Sequence, residues 1–204
     1  KEMAEQIITA SRDAACVIFS DYGYGMITPG LLDRVLPELR KTVPIITADV
    51  SGKQTNLLRF RGVDLLCPTE RELRETLGDF SSGIGAVVSE LLRTTDVRST
   101  LVTLGKQGLV ACTWPNGTWR DSNGRLSSDY LPSLCTRAVD PLGAGDSLLA
   151  GTTLALAAGA TLPQAAFIGS LAAAVEVRQT GNIPVPADAI LDAMVELSGP
   201  QALR

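Results

Sequence analysis

The chain has 204 residues, 45% of them hydrophobic and 20% charged, with a net charge of −4. That length and balance predict one α/β domain with a packed core rather than a disordered or two-domain chain. An acidic balance, no basic run longer than a pair and only 4% aromatic residues exclude an electrostatic or base-stacking nucleic-acid surface.

The first residues, from Lys1-Glu2-Met3, read as a helix. Ala15–Phe19 follows as a buried strand ending at Ser20-Asp21. Thr28-Pro29 opens a helix, with Thr as N-cap, Pro at the first helical position and Leu31, Leu32, Val35, Leu36 and Leu39 as its apolar face. Pro44–Ala48 is the next strand, ending at Asp49, and Val63–Cys67 a third, ending at Pro68-Thr69. Glu70–Leu77 reads as a short helix closed by Gly78, and a further helix covers about residues 85–93. Thr100–Leu104 is a strand stopped by Gly105. Asn116-Gly117 predicts a two-residue hairpin between Leu109–Trp114 and Thr118–Arg120, with Trp114 and Trp119 as a cross-strand pair. Residues 121–132 read as a polar loop, and Ala138-Val139 as the β-branched approach to a turn. Helices at about 145–158, 162–178 and 186–197 complete the chain.

Ser147–Val175 carries no charge and is long enough to span a bilayer. Gly159–Pro163 splits it into pieces too short to cross, so two buried helices are expected and no membrane partner. There is no histidine, which excludes Ser-His-Asp and Cys-His catalysis and histidine metal sites. Acid–base work therefore falls to carboxylates, lysines or tyrosines. Cys16, Cys67, Cys112 and Cys135 form no C-x-x-C pair and read as free thiols of a reducing, cytoplasmic setting.

Strand–helix alternation predicts a mainly parallel sheet covered on both faces, with a late antiparallel hairpin. In such a sheet, ligands gather at the carboxyl ends of the strands. Asp21, Asp49, Thr69 with Glu72, Thr103 with Gly105, and Asp140 with Asp146 all fall there. The run Asp140-Pro-Leu-Gly-Ala-Gly-Asp146 is the most informative of these. A turn of small residues into a helix leaves backbone N–H groups unpaired, and with the helix dipole they make an anion site. Asp146 beside that site would repel a bound phosphate unless it serves as a base, the pairing that phosphoryl transfer to a hydroxyl requires. The plainer reading is an Asp in the favoured first turn of a helix. Asp21 and Asp49 divide between strand-end turn chemistry and substrate contact, and Glu72 between a solvated helix side chain and a ligand.

Asp140–Asp146 resembles the D-[TP]-x-G-A-G-D signature of the ribokinase-like, PfkB-type carbohydrate kinases. Other segments agree in order. Ser20-Asp-Tyr-Gly-Tyr-Gly25 with Thr28-Pro29, and Arg59–Leu66, are similar to the S-D-Y-G-K-G…T-P and Y-R-G-A-x-L-L stretches of the kinase domain of ADP-heptose synthase. Thr103–Gly108 is similar to the T-x-G-x-x-G nucleotide loop, and Thr180-Gly181-Asn182 to the closing segment. The resemblance implies a ribokinase-like three-layer α/β/α sandwich and ATP-dependent phosphorylation of a sugar or sugar-phosphate hydroxyl.

By the same resemblance, Asp146 is the base and the amides of Gly143, Ala144 and Gly145 hold the phosphoryl oxygens. Thr103, Gly105 and Gly108 approach the nucleotide, Glu72 organises Mg2+ through water, and Asp140 with Gly181 flanks a monovalent cation such as K+. Asp21 and Asp49 are the substrate candidates. The family's first third, with its opening strands, G-G signature and dimer-forming lid, has no counterpart in residues 1–204, so a single, N-terminally incomplete kinase domain is expected, with a homodimer possible for the longer protein. Three segments depart from the pattern: Thr69 for the Asn of N-x-x-E, Val50-Ser51 for the Pro-Lys of D-P-K-G, with Lys53 as a nearby substitute, and Tyr24 for a Lys. A degenerate domain that binds nucleotide without turnover is the alternative.

Overall fold

Parity along each strand decides which side chains meet in this chain. The computed structural model describes residues 2–52, 56–122, 124–135, 138–181 and 183–198. Helix α1 (Glu2–Ala10) leads to strand β1 (Cys16–Asp21), helix α2 (Pro29–Leu39), strand β2 (Ile45–Val50) and a 3-10 turn at Leu57–Arg59. The two-residue strand β3 (Leu65–Leu66), helices α3 (Glu70–Leu77) and α4 (Ile84–Thr95), and strand β4 (Ser99–Thr103) follow. After a second 3-10 turn at Gly105–Gln107 come β5 (Leu109–Thr113), β6 (Ser127–Leu131), α5 (Ala144–Ala157), α6 (Leu162–Glu176) and α7 (Ala187–Ser198).

The six strands lie side by side in chain order, parallel from β1 to β4 and antiparallel from β4 through β6. Right-handed crossovers that step in one direction leave their helices on one face of a sheet. Leu32 and Leu39 of α2 and Val88 and Leu91 of α4 accordingly share a core with Phe19, Ile46, Leu66 and Val102. On the other face Leu65, Leu101 and Ala111 pack against Leu148, Leu149 and Ala166 of α5 and α6. Helix α7 lies outside, where Ala193 meets Leu171 and Val175. The three layers are those expected.

Local chemistry sets the helix ends. The Thr28 hydroxyl accepts the Leu31 N–H at 3.2 Å, with Pro29 in the first turn. Thr69 and Glu72 form a reciprocal capping box at the start of α3, and Gly78 closes that helix in the left-handed region. Small residues let α5 and α6 approach closely. A Cβ on Gly169 would lie 2.1 Å from the Thr152 Oγ1 and 2.5 Å from the Leu148 carbonyl. Among the described residues no helix is long and apolar enough to cross a membrane.

Five local expectations are corrected. The antiparallel hairpin closes at Leu104–Gly108, where Leu104 N–H donates to the Gly108 carbonyl at 2.8 Å. Asn116-Gly117 is instead a turn within the long β5–β6 connection, its Gly117 N–H on the Trp114 carbonyl at 2.9 Å. β5 already pairs with β4 on one side and β6 on the other, so residues 118–120 have no open ladder to join. Trp114 and Trp119 are therefore not a cross-strand pair. Trp114 is buried, whereas Trp119 lies between the guanidinium groups of Arg93 and Arg120. Residues 127–131, read as loop, form the edge strand β6. Ala138-Val139 is not a strand, because the N–H groups of Val139 and Asp140 turn to the Val177 carbonyl at the end of α6. The Val63–Cys67 run shrinks to Leu65–Leu66, since the Asp64 carboxylate takes the Ile46 N–H at 2.7 Å. Lys53 and Asn182 lie outside the described residues.

Candidate active site

β1 and β2 are in register with Ser20 opposite Asp49 and Asp21 opposite Val50. Side chains alternate along a strand, so Ser20 and Asp49 face α5 while Asp21 faces the α2 side. Thr47, of the same parity as Asp49, confirms the direction by its 2.8 Å hydroxyl contact with Thr153 of α5.

Asp146, in the first turn of α5, is held by both neighbours on this face. Ser20 Oγ donates to Asp146 Oδ1 at 3.2 Å, and the Tyr22 hydroxyl reaches both carboxylate oxygens at 3.1 Å. These contacts join β1 to a helix more than a hundred residues later, and they fix the carboxylate beside the helix N-terminus. Gly143 supplies the left-handed N-cap of α5, with φ 83°, which a side chain would strain. Its carbonyl accepts the Ser147 N–H at 2.9 Å. The Ala144 N–H leans on the Pro141 carbonyl at 3.4 Å, so the N–H groups of Gly145 and Asp146 are the open donors of this first turn. Ser20 and Tyr22 carried no role at the level of sequence. Strand parity could have singled out Ser20, but nothing local signals Tyr22.

Asp49 is coupled to Asp146 and to Glu72. Burial raises its carboxyl first, and the negative charges of Glu72 and Asp146 raise it further, to about 7. Burial together with Asp49 also pushes the Cys67 thiol up. The Glu72 carboxylate is anchored through Oε2, which accepts the Thr69 N–H and hydroxyl, each at 2.8 Å. The Thr69 departure thus converts N-x-x-E into a helix capping box that still presents Glu72 toward Asp49. Among the described residues no group of three or more Asp, Glu, His or Cys side chains is arranged to hold a metal ion directly.

The raised Asp49 has a measurable consequence. The folded chain keeps that proton up to about pH 7, whereas the unfolded chain releases it near 3.8. Its stabilising contribution is therefore full at acid pH, falls as pH rises through that window, and is gone above it. Asp49→Asn is expected to flatten this slope and to stabilise the chain at about pH 8 by roughly 1–3 kcal/mol. Thermal unfolding across a pH series reads this; a variant that tracks the wild type throughout removes the coupling.

Asp140 and Gly181, distant in sequence, are brought together. The Asp140 carboxylate accepts the Leu142 N–H at 3.0 Å and the Gly181 N–H at 3.3 Å. Thr103 ends β4 beside Thr69, its N–H on the Pro68 carbonyl at 2.9 Å. Gly105 and Gly108 bracket the hairpin turn that follows. Asp21 does not join this group. It is buried on the α2 side, paired with Arg59 at 3.3 Å and accepting the Gly23 N–H at 2.9 Å. A pocket of about 250 Å³ opens there, lined by Gly23, Gly25, Ile27, Thr28, Pro29, Asn56 and Arg59.

The chain that carries this turn, carboxylate and glycine hairpin is similar to known proteins. Residues 35–188 match the model of the pfkB family of carbohydrate kinases. Bifunctional protein HldE (ADP-heptose synthase) of Paramagnetospirillum magneticum is 27% identical over 184 residues, covering 89% of this chain and 35% of the relative. HldE of Shewanella sediminis is 28% identical over 191 residues, 91% of this chain and 37% of the relative. This chain therefore spans little more than a third of the curated relatives it matches. Among solved structures, Escherichia coli phosphofructokinase-2 in complex with potassium superposes with a TM-score of 0.77 at 18% identity, over 97% of this chain and 62% of that one. Arabidopsis thaliana ribokinase complexed with ribose and ATP gives 0.74 at 21% identity, over 95% and 59%. The fold is ribokinase-like, and the chain belongs to the pfkB family of carbohydrate kinases.

Proposed function

We propose that this chain carries the phosphoryl-transfer centre of a kinase that moves the γ-phosphate of ATP to a hydroxyl of a sugar or sugar phosphate. The observation that supports this most is the Asp146 carboxylate, held by Ser20 and Tyr22 beside the open amides of Gly145 and Asp146. Asp146 takes the proton from the attacking hydroxyl as the oxygen–phosphorus bond forms. The first-turn amides and the dipole of α5 receive the charge that develops on the phosphoryl oxygens. Ser20 and Tyr22 donate to the carboxylate, which keeps it aimed. Thr103 and Gly105, at the end of β4, border the path of the nucleotide.

The carboxylates fit a magnesium nucleotide. The negative charges of Glu72 and Asp146 raise the proton affinity of Asp49, so a divalent cation would relieve that repulsion. They would hold it through water, with the phosphates supplying the remaining ligands, and it would neutralise phosphate charge during transfer. Asp140 and the Gly181 backbone would hold a monovalent cation next to the anion site.

A panel of sugars and sugar phosphates, tested for ADP release with ATP and Mg2+, decides the reading. The expected result is turnover with one member of the panel by the protein that carries this chain. Tight ATP binding with no acceptor-dependent ADP release across the panel would instead favour a nucleotide-binding domain without turnover.

A further inference from the structure

Tyr22 places a hydroxyl where a general base expects its acceptor. The phenol donates to Asp146 and lies 3.1 Å from each carboxylate oxygen, inside the range in which a base takes a proton. The open amides of Gly145 and Asp146 stand in the same first turn of α5. A hydroxyl, a base and an anion site thus meet within the chain itself.

The backbone around Tyr22 is pinned on both sides. The Asp21 carbonyl accepts the Ser51 N–H at 2.8 Å, and the buried Asp21 carboxylate, paired with Arg59, accepts the Gly23 N–H at 2.9 Å. Gly52 lies so close that an added Cβ would be 3.1 Å from the Tyr22 carbonyl oxygen. The side chain itself is 51% exposed and so open to an incoming phosphate. Ser20, the other donor to Asp146, differs. It touches only Oδ1, at 3.2 Å, and sits inside the β1 ladder opposite Asp49, so its short side chain is held back from a phosphorus.

We infer that Tyr22 is a site of self-phosphorylation: with ATP bound and no sugar acceptor in place, the γ-phosphate passes to the Tyr22 hydroxyl. The inference rests on the kinase reading of Asp146. The bond between the Tyr22 oxygen and the γ-phosphorus forms, the bond from that phosphorus to the bridging oxygen breaks, and ADP leaves with the electron pair. The phenolic proton goes to Asp146, which returns it to water. Base and nucleophile belong to one molecule, so the rate does not depend on protein concentration. The product carries roughly two negative charges beside Asp146, whose charge already acts on Asp49, and it fills the place of the acceptor hydroxyl. The modified chain is therefore inactive. A bound acceptor displaces the phenol from Asp146 and protects it, so the modification marks an empty acceptor site.

The protein that carries this chain is incubated with Mg2+ and ATP radiolabelled at the γ-phosphate, with and without the panel of sugars and sugar phosphates. Fragmentation mass spectrometry of the tryptic peptide Asp13–Arg34 locates the phosphate. The expected result is label on Tyr22, at a rate independent of protein concentration, suppressed about tenfold or more by an accepted sugar. Tyr22→Phe should lower the label in this peptide by about tenfold or more, and so should Asp146→Asn, while Tyr24→Phe keeps it. Acceptor-dependent ADP release with no phosphate on Tyr22 overturns this inference and leaves the kinase reading standing. Neither label nor ADP release overturns both. Label that persists in Tyr22→Phe, or that forms faster as protein concentration rises, also overturns the self-directed transfer to Tyr22.

Discussion

Asp146→Asn is expected to lower acceptor-dependent ADP release by about 10²–10⁴-fold, the range that a general base contributes. ATP affinity should hold or rise, because a negative charge beside the anion site is removed while the Gly145 and residue-146 amides stay in place. Steady-state kinetics and an ATP titration separate the two effects. Fold stability should not suffer, since Asp146 contributes to the charge crowding that raises Asp49. The same substitution should therefore lower the Asp49 carboxyl toward its ordinary range. Ser20→Ala and Tyr22→Phe remove only the hydroxyls that hold the carboxylate, and each should cost less, on the order of tenfold. Unchanged ADP release in Asp146→Asn would end the assignment of Asp146 as base.

Gly108→Ala is expected to destabilise the chain by about 3 kcal/mol or more, because backbone cannot move aside as a flexible side chain can. An added Cβ would stand 2.1 Å from the Leu131 carbonyl oxygen and 2.7 Å from backbone atoms of Pro132 and Ser133. The residue also holds φ 99° and ψ −134°, a conformation open mainly to glycine. For a domain of this size the melting temperature should fall by roughly 6–12 °C. Gly105→Ala is the control. It too has a positive φ, 59°, but nothing lies within 4 Å of its would-be Cβ, so a loss of only about 1–2 kcal/mol is expected. The two glycines of the T-x-G-x-x-G run thus have different reasons to exist: Gly108 admits the chain leaving β6, and Gly105 shapes the turn. Equal melting temperatures for the two variants would refute that division.

Local patterns in the sequence were enough for much of the architecture. Thr28-Pro29 capped α2, Glu70–Leu77 formed α3 and Gly78 ended it, because capping and glycine conformation act within a few residues. The order of strands and helices followed from apolar periodicity, and the Gly143–Asp146 turn from small residues before a helical run. Asn116-Gly117 misled for a physical reason. Its turn chemistry was sound, but a hairpin also needs an open ladder, and β5 already had a partner on each side.

Asp21 and Asp49 looked equivalent as strand-end acids. Tertiary structure separated them, since one residue of register turns a side chain to the opposite face of a sheet. Asp49 went to the α5 side with Asp146 and Glu72, and Asp21 to Arg59.

The sequence by itself determined the family, the layer order and the donor turn, because each rests on contacts between near neighbours in the chain. Only the tertiary structure decided the partners of Asp146 and the meeting of Asp140 with Gly181. Those depend on groups distant in sequence, and no local pattern carries the distance between them.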